Sequence, residues 1–232
     1  MKMMNLAVSA VLAAGLGGCV REARMATPSA LAADGERLEL SGMGGGTSGS
    51  FSLAGASGRF TRSAESVSWP GAKRNRGGGS FELSAGEGQL AGECRFRRGE
   101  AVAGPIAVTT RPFAYACDFF RGGRPIDAEL VVGEARESAG SRLSKEERRG
   151  TLFFEGRRYD LRSVHKDAGG GLATAAPLGY LIEAEGRPVG AVDLNGTNKT
   201  LIAPRDPAER EAVIAAGLAL SVLWDPAEVD PE

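Results

Sequence analysis

Histidine is almost absent. One His in 232 residues rules out the His₂ and His₃ sets of catalytic zinc sites. Three cysteines cannot by themselves complete a tetrahedral thiolate site. An excess of either charge is missing too. Lys and Arg number 28 against 29 Asp and Glu, a formal charge of −1, so the basic surplus of a dedicated nucleic-acid binder is lacking. No apolar run reaches the ~20 residues of a membrane-spanning helix. Glycine is what abounds, with 34 residues, about twice the usual ~7% share. The 42% hydrophobic content is enough for one core of ordinary size.

The N-terminus pairs Lys2 with an apolar run from Leu6 to Leu16 broken only by Ser9. At ~1.5 Å per residue that run spans about 16 Å, short of the ~30 Å hydrocarbon layer. It fits a cleavable export signal over residues 1–18. Leu16-Gly17-Gly18-Cys19 follows. A branched apolar residue, two small residues and a cysteine resemble the bacterial lipobox. That resemblance implies cleavage before Cys19, a diacylglyceryl thioether on its sulfur and a further acyl chain, such as palmitate, on its amine. Loss of Lys2 leaves 27 basic residues against 29 acidic, a charge of −2. Several chains anchor far beyond the marginal single-chain limit. Val20, rather than Asp, at the next position implies passage to the outer membrane, with the periplasmic face expected. The alternative is an ordinary secretory signal, with Cys19 left to pair as a thiol.

With Cys19 acylated, Cys94 and Cys117 remain, and an even pair in an exported chain reads as a disulfide. Both lie in alternating, strand-like text, at 89–96 and 113–120.

Residues 19–35 read as the lipidated cysteine and a flexible tether. From 36 onward short alternating runs recur, separated by Gly or Pro. They include 37–40, 51–53, 58–62, 66–69, 81–83, 126–132, 151–155, 158–165, 178–184, 188–194 and 199–202. Together with the cysteine strands they make about twelve, spaced as in a barrel or sandwich. Glu185-Gly186-Arg187 reads as a hairpin turn. Residues 71–79, carrying Lys73, Arg74 and Arg76 before three glycines, read as a basic loop and a candidate contact for anionic headgroups. Residues 138–150 are a second charged loop.

Asp206-Pro207-Ala208-Glu209 is a helix start, with Asp206 as cap and Pro207 at the first turn. Val213 to Trp224 then runs twelve residues with no charge and one hydroxyl. At ~100° per residue those apolar positions cover every side of a helix. A helix over 207–224 is therefore buried all round, and an acidic tail, 225–232, follows. The economical solution is a sheet curled round it. The order of elements through 36–224 resembles the tubby-like superfamily, which includes the phospholipid scramblase and LURP-one groups. The resemblance implies a mainly β fold, a closed antiparallel barrel of about twelve strands enclosing the C-terminal helix. A β-sandwich with the helix across an open face is the alternative.

Chemistry is sparse. Ser163, His165 and Asp167 have the residue types of a hydrolase triad. On an extended strand, however, positions two apart stand ~6.5–7 Å from each other, too far for the ~3 Å bonds of a relay. No catalytic residues, metal site or cofactor are expected. The chain reads as a non-enzymatic, lipid-anchored envelope protein that binds or scaffolds an envelope protein or lipid, without nucleic acid. The alternative is a phospholipid-binding or lipid-handling module.

Overall fold

The computed structural model describes residues 23–85, 88–103, 106–135 and 146–224; Cys19 and the acidic tail lie outside them. Twelve strands follow one short helix: α1 (Ser29–Asp34), β1 (Glu36–Ser41), β2 (Ser48–Leu53), β3 (Ala56–Trp69), β4 (Ala72–Ala85), β5 (Gly88–Ala103) and β6 (Ile106–Arg121). Then come β7 (Arg124–Glu134), β8 (Arg148–Phe154), β9 (Arg157–Val164), β10 (Gly179–Ala184), β11 (Arg187–Asp193), β12 (Lys199–Ala203) and α2 (Pro207–Val222). Each strand pairs antiparallel with its neighbour in sequence, and β12 returns to β1, so the barrel is closed. Closure leaves no bare edge around the ring itself, and only the outer halves of β3 and β6 run past their neighbours β2 and β7. Several hairpins turn on X-Gly pairs with both residues at positive φ: Ala54-Gly55, Glu155-Gly156 and Glu185-Gly186. That geometry matches the right-handed twist of the strands.

α2 is threaded through the barrel. The Asp206 carboxylate accepts from the Glu209 amide at 3.0 Å, and Pro207 follows it. From Val213 to Val222 only Ile214 is not fully buried. Opposite walls of the barrel touch the helix. Gly190 of β11 lies so close to Val213 that a Cβ there would stand 2.6 Å from its methyls, and Gly217 lies equally close to Leu201 of β12. On the far side the Tyr115 hydroxyl of β6 donates to the Ala219 carbonyl. Burial, and secondarily Tyr180, push that phenol's pKa upward and keep it protonated as a donor.

Two expectations are corrected. Residues 71–79 are not a loop: from Ala72 they belong to β4, paired along their length with β3 and β5. The triple glycine fits because neighbouring chains crowd it; a Cβ on Gly77 would meet the Ser63 carbonyl at 2.1 Å. Within the expected tether, 19–35, the described residues 23–35 are not free of the barrel. Met25 and Leu31 are buried on the outside of the barrel against Leu181, Ala191 and Ile202. The Arg24 and Met25 amides donate to Asp167 and Asp193 carboxylates at 2.9 Å. This strap explains why β10 and β11 are buried on both faces.

Cys94 and Cys117 face each other across β5 and β6 and are joined as a disulfide. Closing a loop of 23 residues' separation stabilises by about 3 kcal/mol in the chain-entropy model. Urea unfolding of the Cys94→Ser, Cys117→Ser double variant is expected to show a loss of about that size.

Candidate functional site at the mouth of the barrel

Alternation along a strand sends every second side chain inward. Where α2 ends, four strands send a cation inward in place of an apolar group. Arg62 continues the inward parity of Phe60, Arg98 that of Phe96, Arg148 that of Leu152, and Lys199 that of Leu201. The buried polar residues among those described are Asn75, Arg148, His165 and Ser221, and all lie at this end.

The groups are tightly coupled. Glu146 joins Arg98 at 2.7 Å and Arg148 at 3.1 Å. The Arg148 guanidinium lies 4.1 Å from the Phe113 ring centroid. Burial by itself would raise the Glu146 pKa, but the Arg98 hydrogen bond and the two positive charges outweigh it and hold the carboxyl below its ordinary range. Arg62 donates to the Gly44 and Gly46 carbonyls and lies over the Phe60 and Trp224 rings. Lys199 donates to the Leu194 carbonyl at 3.1 Å. Its pKa is lowered, first by burial and then by Arg62, against the opposing effect of Asp193. Arg62, Arg148, Tyr180, Lys199, Leu220 and Ser221 help enclose a cavity of about 170 Å³.

Ser163 is flanked by two of the residues that line this cavity. Tyr180 is the ladder partner of Ser163 on β10, and on the other flank the Arg148 amide donates to Ser163 Oγ at 2.9 Å. Ser163 Oγ lies 3.0 Å from His165 Nε2. The spacing argument against this contact fails because β9 ends at Val164. Beyond the strand, the chain turns and the imidazole folds back over the serine. Asp167 does not complete a triad: it binds the Arg24 and Gly169 amides. His165 Nδ1 faces the Thr174 carbonyl oxygen at 2.9 Å.

Comparison with protein-family models, curated proteins and solved structures found no match.

The residues singled out for headgroup contact are separated by the strand they form. Arg74 and Arg76 share the outer face of β4, whereas Lys73 faces the other way, opposite Glu100. β3 to β6 run to 14 or 16 residues, far beyond the end of α2, and project as a wing. On its outer face Arg76 pairs with Glu65 at 2.7 Å, and Arg74 lies 5.7 Å from the Trp69 ring centroid. Trp69 is 49% exposed at the tip. Among the described residues no group of three or more His, Cys, Asp or Glu could hold a metal ion.

The charged mouth escaped sequence reasoning, but it left a trace. Each of its cations continues the inward parity of an apolar residue on the same strand.

Proposed function

We propose that this chain is a lipid-anchored protein of the outer membrane, held at the periplasmic face through Cys19, and that it binds or scaffolds another envelope component. The barrel is filled by its own helix, so partners meet its rim and outer surface. The kinship with the tubby-like superfamily belongs to the same proposal, supported by twelve antiparallel strands around an apolar C-terminal helix.

The observation that carries the reading is the strap. It leaves the barrel at Arg24, tied to Asp167, at the same end as the mouth and the wing. Residues 19 to 24 reach no more than about 18 Å fully extended. An acylated Cys19 therefore holds that end against the bilayer. Fractionation tests it. The wild-type chain should sediment with outer membrane, and Cys19→Ala should be soluble in the periplasm; unchanged membrane association of the variant would remove the anchor.

The wing favours a second reading, contact with anionic phospholipid. Trp69 suits the interfacial region, and Arg74 and Arg76 suit headgroups. The Cys19→Ala chain should then float with vesicles containing phosphatidylglycerol and not with pure phosphatidylcholine. Added salt should weaken it, as should Arg74→Glu with Arg76→Glu. Flotation that ignores lipid charge would exclude this reading.

A further inference from the structure

The binding reading leaves Ser163 and His165 unused. A carbonyl oxygen can only accept, so His165 Nδ1, 2.9 Å from the Thr174 carbonyl, carries the ring proton. In the neutral ring Nε2 is then the acceptor, 3.0 Å from Ser163 Oγ, which donates to it. The orientation that a carboxylate provides in a Ser-His-Asp triad is supplied here by a backbone carbonyl. The loop is held shut around it, since the Thr174 amide and hydroxyl both donate back to the His165 carbonyl. His165 is 6% exposed, shielded from solvent that would compete for Nε2. Ser163 itself is only part-buried.

We propose that Ser163 is the nucleophile, and His165 the general base, of an esterase site that cleaves carboxylic esters. Ser163 Oγ bonds to the acyl carbon as its proton passes to Nε2. The carbon–oxygen bond to the leaving group breaks, and that alcohol takes the proton from Nε2. Water, deprotonated by the same nitrogen, then cleaves the acyl-serine and releases the carboxylic acid, restoring the hydroxyl. The overall reaction is ester plus water to acid plus alcohol.

Arg148 and Tyr180, which flank Ser163, line the cavity of about 170 Å³ together with Arg62 and Lys199. Cations and the Tyr180 hydroxyl at that wall suit the negative charge that develops on the acyl oxygen.

The test uses the intact wild-type chain and a fluorophosphonate probe, with the labelled residue located by peptide mass spectrometry. Labelling is expected at Ser163 and should be blocked by prior phenylmethylsulfonyl fluoride. p-Nitrophenyl acetate should be cleaved by the wild-type chain. Ser163→Ala should abolish both signals, and His165→Asn should slow acetate cleavage by ~10²–10⁴. A wild-type chain that is unlabelled, or labelled at another serine, overturns the proposal whatever the variants do. Equal cleavage by folded Ser163→Ala overturns it as well. The anchor proposal is read by fractionation and survives either result.

Discussion

Leu218→Ala is expected to lower the unfolding free energy by about 3–5 kcal/mol, the upper range for a buried leucine. Leu218 has no exposed surface and sits mid-helix inside the barrel. A cavity there has little means of collapsing. The helix is clasped by Gly190 and Leu201 on one side and by Tyr115 on the other. The wall is a closed ring of hydrogen-bonded strands that cannot move inward at one point without breaking register with both neighbours. At ~2–4 °C per kcal/mol for a chain of this size, the melting temperature should fall by about 10 °C. Thermal unfolding followed by far-UV circular dichroism measures it. A loss under ~1 kcal/mol would mean that the helix is not enclosed.

Arg148→Met is the second large effect, expected to cost about 3 kcal/mol near neutral pH. Arg148 is 2% exposed, and removing one member of a buried pair costs about 3–5 kcal/mol because the other is left behind. Glu146 keeps Arg98 at 2.7 Å, which places the expectation at the lower end. The pH dependence gives an independent check. The folded-state pKa of Glu146 lies below its unfolded value because Arg98 and Arg148 overcome burial. Its contribution is therefore fully present above the unfolded carboxylate pKa and is lost as pH falls through the folded one. Wild-type stability should drop across that acid window more steeply than that of Arg148→Met, whose Glu146 is depressed less. Parallel acid titration curves for the two proteins would remove Glu146 from the account.

Much of the architecture is visible in the amino-acid text. Alternation and X-Gly turns announce about twelve strands, because a two-residue period leaves one wet and one dry face. The uniformly apolar stretch after Asp206 announces a helix with no solvent side, because a 3.6-residue period exposes any stripe left polar. Residues 71–79 read locally as a loop because glycine, asparagine and lysine are poor strand formers in isolation. Pairing with β3 on one side and β5 on the other overrides that local preference. The strap is hidden from local pattern for a related reason: Met25 and Leu31 are scattered apolar residues whose burial depends on a sheet face far away in sequence.

Composition by itself determined that this chain has no histidine cluster for metal, no basic surplus for nucleic acid and a helix that must be surrounded. Periodicity determined the strands that surround it. Only the tertiary structure decided which residues meet at the mouth. Arg62, Arg98, Glu146, Arg148 and Lys199 come from segments up to 137 positions apart between Arg62 and Lys199, and barrel closure sets their distances. It alone brought Ser163 to His165, since the contact depends on where β9 stops and how the next loop returns, and no residue period encodes that.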